Sequence, residues 1–90
     1  MSQAAYTTAP GLIWRETDDG IAVIDPLKGK IRALNGVGSF VWKQLQSDHS
    51  LVDIKTNMVD AYGISQELAS ADLQRFIDDL VERGILQPTV

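Results

Sequence analysis

The chain has no cysteine, which removes both a disulfide framework and a thiolate metal site. It has one histidine, His49, so no histidine pair can hold a metal or relay a proton. Prolines number three and aromatics make up 7 % of the residues. Such a composition is not a Pro-rich or low-complexity sequence. No apolar run approaches the ~20 residues needed to span a bilayer. The start, MSQAAYTTAPG, has neither a basic segment nor an apolar core, so no signal peptide is expected. Lack of cysteine also suits a reducing compartment, and a cytoplasmic location is the expectation.

What is present is an ordinary folded composition, 44 % apolar over 90 residues, which corresponds to one small domain. The net charge of −4 is unevenly placed. Residues 1–59 hold six acids and six bases, whereas residues 60–90 hold six acids against Arg75 and Arg83. The C-terminal third is therefore acidic. No repeat is evident.

Residues 1–10 read as a flexible N-terminal segment closed by Pro10, with the domain over residues 11–87. Leu12–Thr17 alternates as a strand. Asp18-Asp19-Gly20 signals a tight hairpin turn. Ile21–Asp25 is a second strand, Pro26-Leu27-Lys28-Gly29 a second turn, and Lys30–Leu34 a third strand. From Asn35 the apolar period lengthens to about 3.6. Asn35 suits a helix N-cap, followed by Val37, Phe40, Val41 and Leu45 on one face. Trp42 lies off that stripe and is expected in the core. Ser50 with Asp53 resembles a capping box for a second helix, with Leu51, Ile54, Met58 and Tyr62 inward and Gly63 ending it. Ser65 opens a third helix with Ala69, Leu73, Phe76, Ile77, Leu80 and Val81 on its apolar face. Gly84 caps it, and Ile85-Leu86 form a docking tail. The expected fold is α+β and winged helix-turn-helix-like: a three-stranded antiparallel meander followed by three helices.

An enzyme is not expected. His49 falls in a loop, and Ser47 and Ser50 have no base and no Gly-x-Ser-x-Gly context. The pairs Asp18-Asp19 and Asp78-Asp79 are adjacent in sequence and diverge on either a strand or a helix. No metal or cofactor site is expected. A winged-helix DNA-binding regulator is the alternative suggested by fold class. It needs Lys and Arg against phosphates, yet the third helix is acidic and the second offers only Lys55. Lys28, Lys30 and Arg32 read as edge-strand protection. Asp48-His49-Ser50-Leu51 approaches the Asp-Ser-Leu motif of a carrier protein, but the inserted histidine breaks it.

The remaining hypothesis is peptide binding by strand addition. An extended peptide would pair with Ile31, Arg32, Ala33 and Leu34, while its side chains insert against the third helix. Leu73 and Phe76 are expected to be partly exposed there, Ile77 and Leu80 buried. Asp72, Arg75, Asp79 and Arg83 would form a polar rim. The same edge would also accept a second copy, so monomer and homodimer both stand.

Two strings carry a family resemblance. Leu34-Asn35-Gly36-Val37-Gly38-Ser39-Phe40-Val41-Trp42-Lys43-Gln44-Leu45 resembles the L-N-x-x-G-x-x-[IV]-W-x-x-L signature of PqqD-like proteins. Asp72-Leu73-Gln74-Arg75-Phe76-Ile77-Asp78-Asp79-Leu80, then Gly84-Ile85-Leu86, is similar to that family's D-[VL]-x-x-F-[LI]-x-x-L…G-[LI]-[LI] ending. The resemblance covers roughly residues 11–87. It implies a RiPP recognition element, a non-catalytic peptide chaperone that binds the leader of a ribosomally made precursor peptide. Its partners would be that peptide and a modifying enzyme, such as a leader peptidase with its cyclase or a radical enzyme. The resemblance implies no role for nucleic acid or membrane. It puts the peptide-binding residues at Ile31, Arg32, Ala33, Leu34, Asp72, Leu73, Phe76 and Leu80. The pyrroloquinoline quinone branch tends to have a Pro-Glu-Arg-like turn and a Cys-Asp-Gly after the first helix. Here these are Pro26-Leu27-Lys28-Gly29 and Gln46-Ser47-Asp48. The Trp42 form resembles the stand-alone recognition proteins of lasso-peptide clusters more closely.

Overall fold

The computed structural model describes residues 6–88. Three strands, β2 (Ile13–Thr17), β3 (Gly20–Asp25) and β4 (Lys30–Asn35), form an antiparallel sheet in the order β2-β3-β4. Helices α1 (Val37–Gln46), α2 (Leu51–Tyr62) and α3 (Gln66–Glu82) follow. This is the expected α+β succession. The outermost elements differ from expectation. Tyr6–Thr8 form a strand, β1, antiparallel to β5 (Leu86–Pro88), with Thr8 opposite Leu86. Residues 6–8 are therefore paired into the fold, while residues 1–5 lie outside the described residues. Three residues are too few for a period to show, and the pairing depends on a partner some eighty residues away. Leu86 is buried beneath it, so the Ile85-Leu86 tail is a paired strand as well as a docking segment.

The sheet has two unlike faces. The register sets Ile21 opposite Leu34, and Val23 opposite both Trp14 and Arg32. These residues share the face turned to the helices, because directly opposed residues project to the same side. The other face carries Ile13, Ile24 and Ile31 in one cross-strand row. Trp42 has no exposed surface and meets the edge of Trp14 with ring centroids 6.2 Å apart, which confirms its place in the core. Ile54 and Met58 of α2, and Ala69, Leu73, Ile77 and Leu80 of α3, close that core.

One turn boundary and one helix cap differ from the sequence expectation. The two-residue loop is Asp18-Asp19, and Gly20 is already the first residue of β3, paired with Thr17 and Asn35. Its φ is +153°, and a Cβ there would lie 2.1 Å from the Leu34 carbonyl oxygen, so no larger residue fits. Asn35 is the last residue of β4 and not the helix cap. The strand ladder holds it extended, and the cap position falls on Gly36, with no side-chain cap bond. The Ser39 hydroxyl instead donates to the Gly36 carbonyl. The other helix starts follow the sequence: Ser50 accepts from the Asp53 amide and Ser65 from the Leu68 amide, each at 3.1 Å.

Candidate functional site

Strand β4 is one of the two edges of the sheet, β2 being the other. In an antiparallel ladder, alternate residues of an edge strand keep amide and carbonyl groups directed away from the sheet. Helix α3 runs beside this edge in the opposite sense, and three contacts fix the alignment. At one end Gly38 lies between Leu34 and Phe76, where a Cβ would come within 3.2 Å of the Phe76 ring. In the middle Arg32 donates to the Asp79 carboxylate at 2.5 Å. At the far end the Lys28 ammonium passes close to Gly84. Together these contacts make a cleft about one strand long, apolar at the Phe76 end and charged at the other.

The eight expected residues lie on β4 and α3 and differ in access. Leu34 and Leu73 are each 6 % exposed and Leu80 has no exposed surface. All three belong to the core, and the expected partial exposure of Leu73 is corrected. Its position on α3 turns it into the core formed with Ile77 and Ala69. Phe76 is half-buried, packed against the core with surface remaining in the cleft. Arg32 and Asp72 are partly exposed, and Asp72 accepts from Arg75 three residues later. Ile31 is 72 % exposed, and with Ala33 it projects from the opposite face of the sheet, away from α3. Ile31 and Ala33 can thus offer a ligand beside β4 their backbone groups and their outer face only.

Several other polar groups singled out in the sequence have structural partners. The Ser47 hydroxyl donates to the Lys43 carbonyl, and Ser50 is occupied as a cap. Asp78 accepts from Gln74 while Asp79 accepts from Arg32, so the two adjacent carboxylates diverge. No cluster of His, Cys, Asp or Glu among the described residues is arranged to hold a metal. No helix among them is long and apolar enough to cross a membrane.

The family model described as coenzyme PQQ synthesis protein D (PqqD) matches residues 20–86, which include both walls of the cleft. The chain belongs to the PqqD family. Its fold is that of two solved structures. The lasso peptide synthetase B1 complexed with the leader peptide aligns with a TM-score of 0.88 at 24 % identity, over 94 % of this chain and 100 % of that one. TbiB1 in complex with the TbiA(beta) leader peptide aligns with a TM-score of 0.86 at 19 % identity, over 93 % of this chain and 98 % of that one. No curated protein matches the chain.

In this PqqD-family chain, sequence reasoning missed how the cleft is held. Lys28, Lys30 and Arg32 read as edge protection, yet Arg32 ties β4 to α3. Gly38 stood in the family motif without a role, and the role is to leave room for the Phe76 ring. The signal available was the pairing of a lone base on the strand with an acid on the helix, but only the fold shows which acid.

Proposed function

We propose that this protein binds the leader segment of a ribosomally made precursor peptide as an additional strand on β4, against α3. It performs no chemistry of its own. The carrying observation is an unpaired sheet edge lying beside a helix that offers a half-buried aromatic. Both solved structures of like fold hold a leader peptide, which supports the same use of the fold here. Residues 11–87, buttressed by β1, form the binding domain. Ile31, Arg32, Ala33 and Leu34 supply the strand. Asp72 and Phe76 supply the accessible wall, with Leu73 and Leu80 supporting it from below.

Each main-chain bond contributes ~0.5–1.5 kcal/mol net, and one buried apolar side chain adds about 1.5–3 kcal/mol. A preformed cleft reduces the ordering cost that opposes these gains. The bound peptide is then presented to a modifying enzyme, a leader peptidase or a radical enzyme, at raised effective concentration. Ribosomal precursors are made in the cytoplasm, and the proposal puts the protein there.

The test is an amide NMR titration with the N-terminal half of a short peptide encoded beside the gene. Saturable shifts centred on Ile31–Leu34 and the Asp72–Leu80 face are expected. A folded sample that shows no shifts, or shifts confined to α2, would overturn the proposal.

A further inference from the structure

The charged end of the cleft opens into a groove of about 400 Å³ between the β3–β4 turn and the end of α3. Its charged lining is Lys28, Lys30, Arg32 and Arg83 against Asp25 and Glu82. Four bases face two acids, in a chain whose net charge is −4. Asp79, which pairs with both Arg32 and Arg83, adds a third acid, so the surplus is one positive charge. Asp25 Oδ1 accepts from the Leu27 and Lys28 amides and holds the turn. Glu82 makes no ion pair among the described residues, and neither do Lys28 and Lys30. Arg32 and Arg83 share the single carboxylate of Asp79, at 2.5 and 3.0 Å. Two guanidinium groups on one carboxylate leave a positive charge over, and the Arg32 Nε–H is buried without an acceptor. An arginine offers five donors, of which the ion pair with Asp79 uses one.

We infer that this groove is a subsite for a carboxylate side chain of the bound peptide. The inference rests on the leader-binding proposal above and adds a specificity to it. The spacing follows from the strand. Lys30, Arg32 and Leu34 share one face of β4. A side chain on an added strand sits directly across from its partner on the same face. Arg32 and Lys30 lie two and four residues from Leu34, or roughly 7 and 13 Å along the strand. The peptide therefore carries an Asp or Glu two or four residues from the apolar side chain that meets Phe76. Opposite-charge cross-strand pairs stabilise such a register, and a like charge disfavours the wrong peptide.

The experiment measures the affinity of the full chain for the N-terminal half of the precursor encoded beside its gene. Each Asp and Glu of the peptide is changed singly to Asn or Gln. The protein is used as wild type and as Lys30→Glu, an exposed position whose replacement leaves the core intact. One peptide substitution is expected to weaken binding roughly tenfold, as loss of a charge-assisted hydrogen bond does. Lys30→Glu is expected to weaken binding of the wild-type peptide similarly. Replacing the same peptide acid by Lys is expected to restore binding to Lys30→Glu. Tight binding of the wild-type peptide with no acid substitution changing Kd by more than about twofold overturns the subsite and leaves leader binding standing. Competition by inorganic phosphate with no peptide acid mattering assigns the groove to a free anion and also overturns it. Failure of the wild-type peptide to bind at all removes both proposals.

Discussion

Arg32 on β4 and Asp79 on α3 are separated by 47 positions in the sequence and joined at 2.5 Å in the fold. This pair closes the base of the cleft, and Arg83 holds the other oxygen of the same carboxylate. The three groups set the spacing between a sheet edge and the helix beside it.

Both partners of that pair keep about a third of their surface, so solvent screens it. Asp79→Asn is expected to cost under about 1 kcal/mol of stability, the range of exposed pairs. A double-mutant cycle with Arg32→Ala, followed by urea denaturation, checks the coupling. The larger effect is expected in peptide affinity, because the cleft loses its strut. A coupling of several kcal/mol would mean that the pair holds the fold itself.

Gly20 opens β3 and Gly29 precedes β4; both have positive φ, but they should respond differently to substitution. At Gly20 a Cβ would lie 2.1 Å from a backbone oxygen, whereas at Gly29 it would meet nothing within 4 Å. Gly29→Ala is expected to cost about 1 kcal/mol, the penalty of a left-handed alanine. Gly20→Ala is expected to cost more than about 3 kcal/mol, since the sheet must part. Chemical denaturation of the two variants side by side gives the comparison.

Adjacent residues of an edge strand direct their amides to opposite sides. Of Arg32→Pro and Ala33→Pro, one removes a donor from the β3–β4 ladder and the other a donor from the open edge. One variant is therefore expected to unfold or melt much earlier. The other is expected to keep its circular dichroism and lose at least about tenfold in peptide affinity. Two folded variants with wild-type affinity would rule out strand addition at this point of β4.

Deleting residues 1–8 is expected to destabilise the domain, although that segment reads as loose in the sequence. Strand β1 covers Leu86, and its Thr8 hydroxyl accepts from Gln46 Nε2 at 2.6 Å. Loss of this cover is expected to cost roughly 1–3 kcal/mol, comparable to exposing one core side chain. Thermal denaturation of full-length and shortened chains measures it. An unchanged midpoint would show that β1 contributes no net stability.

The sequence by itself determined the succession of elements from β2 to α3. Ser50 and Ser65 begin their helices, and Gly63 and Gly84 end theirs in left-handed geometry, because each of these choices is made with groups a few residues away. The switch from period two to period 3.6 near Asn35 likewise marked where sheet gives way to helix. What only the tertiary structure decided depends on elements distant in the chain. Leu73 and Phe76 look alike on the apolar face of α3, yet one is core and the other partly open, since the way α3 packs onto the other elements, chiefly α2 and β5, sets that boundary. Asp79, one of four acids between Asp72 and Glu82, is the one that meets Arg32. Gly38 lies close under a ring 38 positions later, where a side chain would crowd it. Strand β1 exists because β5 leaves an unpaired backbone beside it. Local hydrogen bonding is written in neighbouring residues, whereas burial and long-range pairing arise only when separate elements come together.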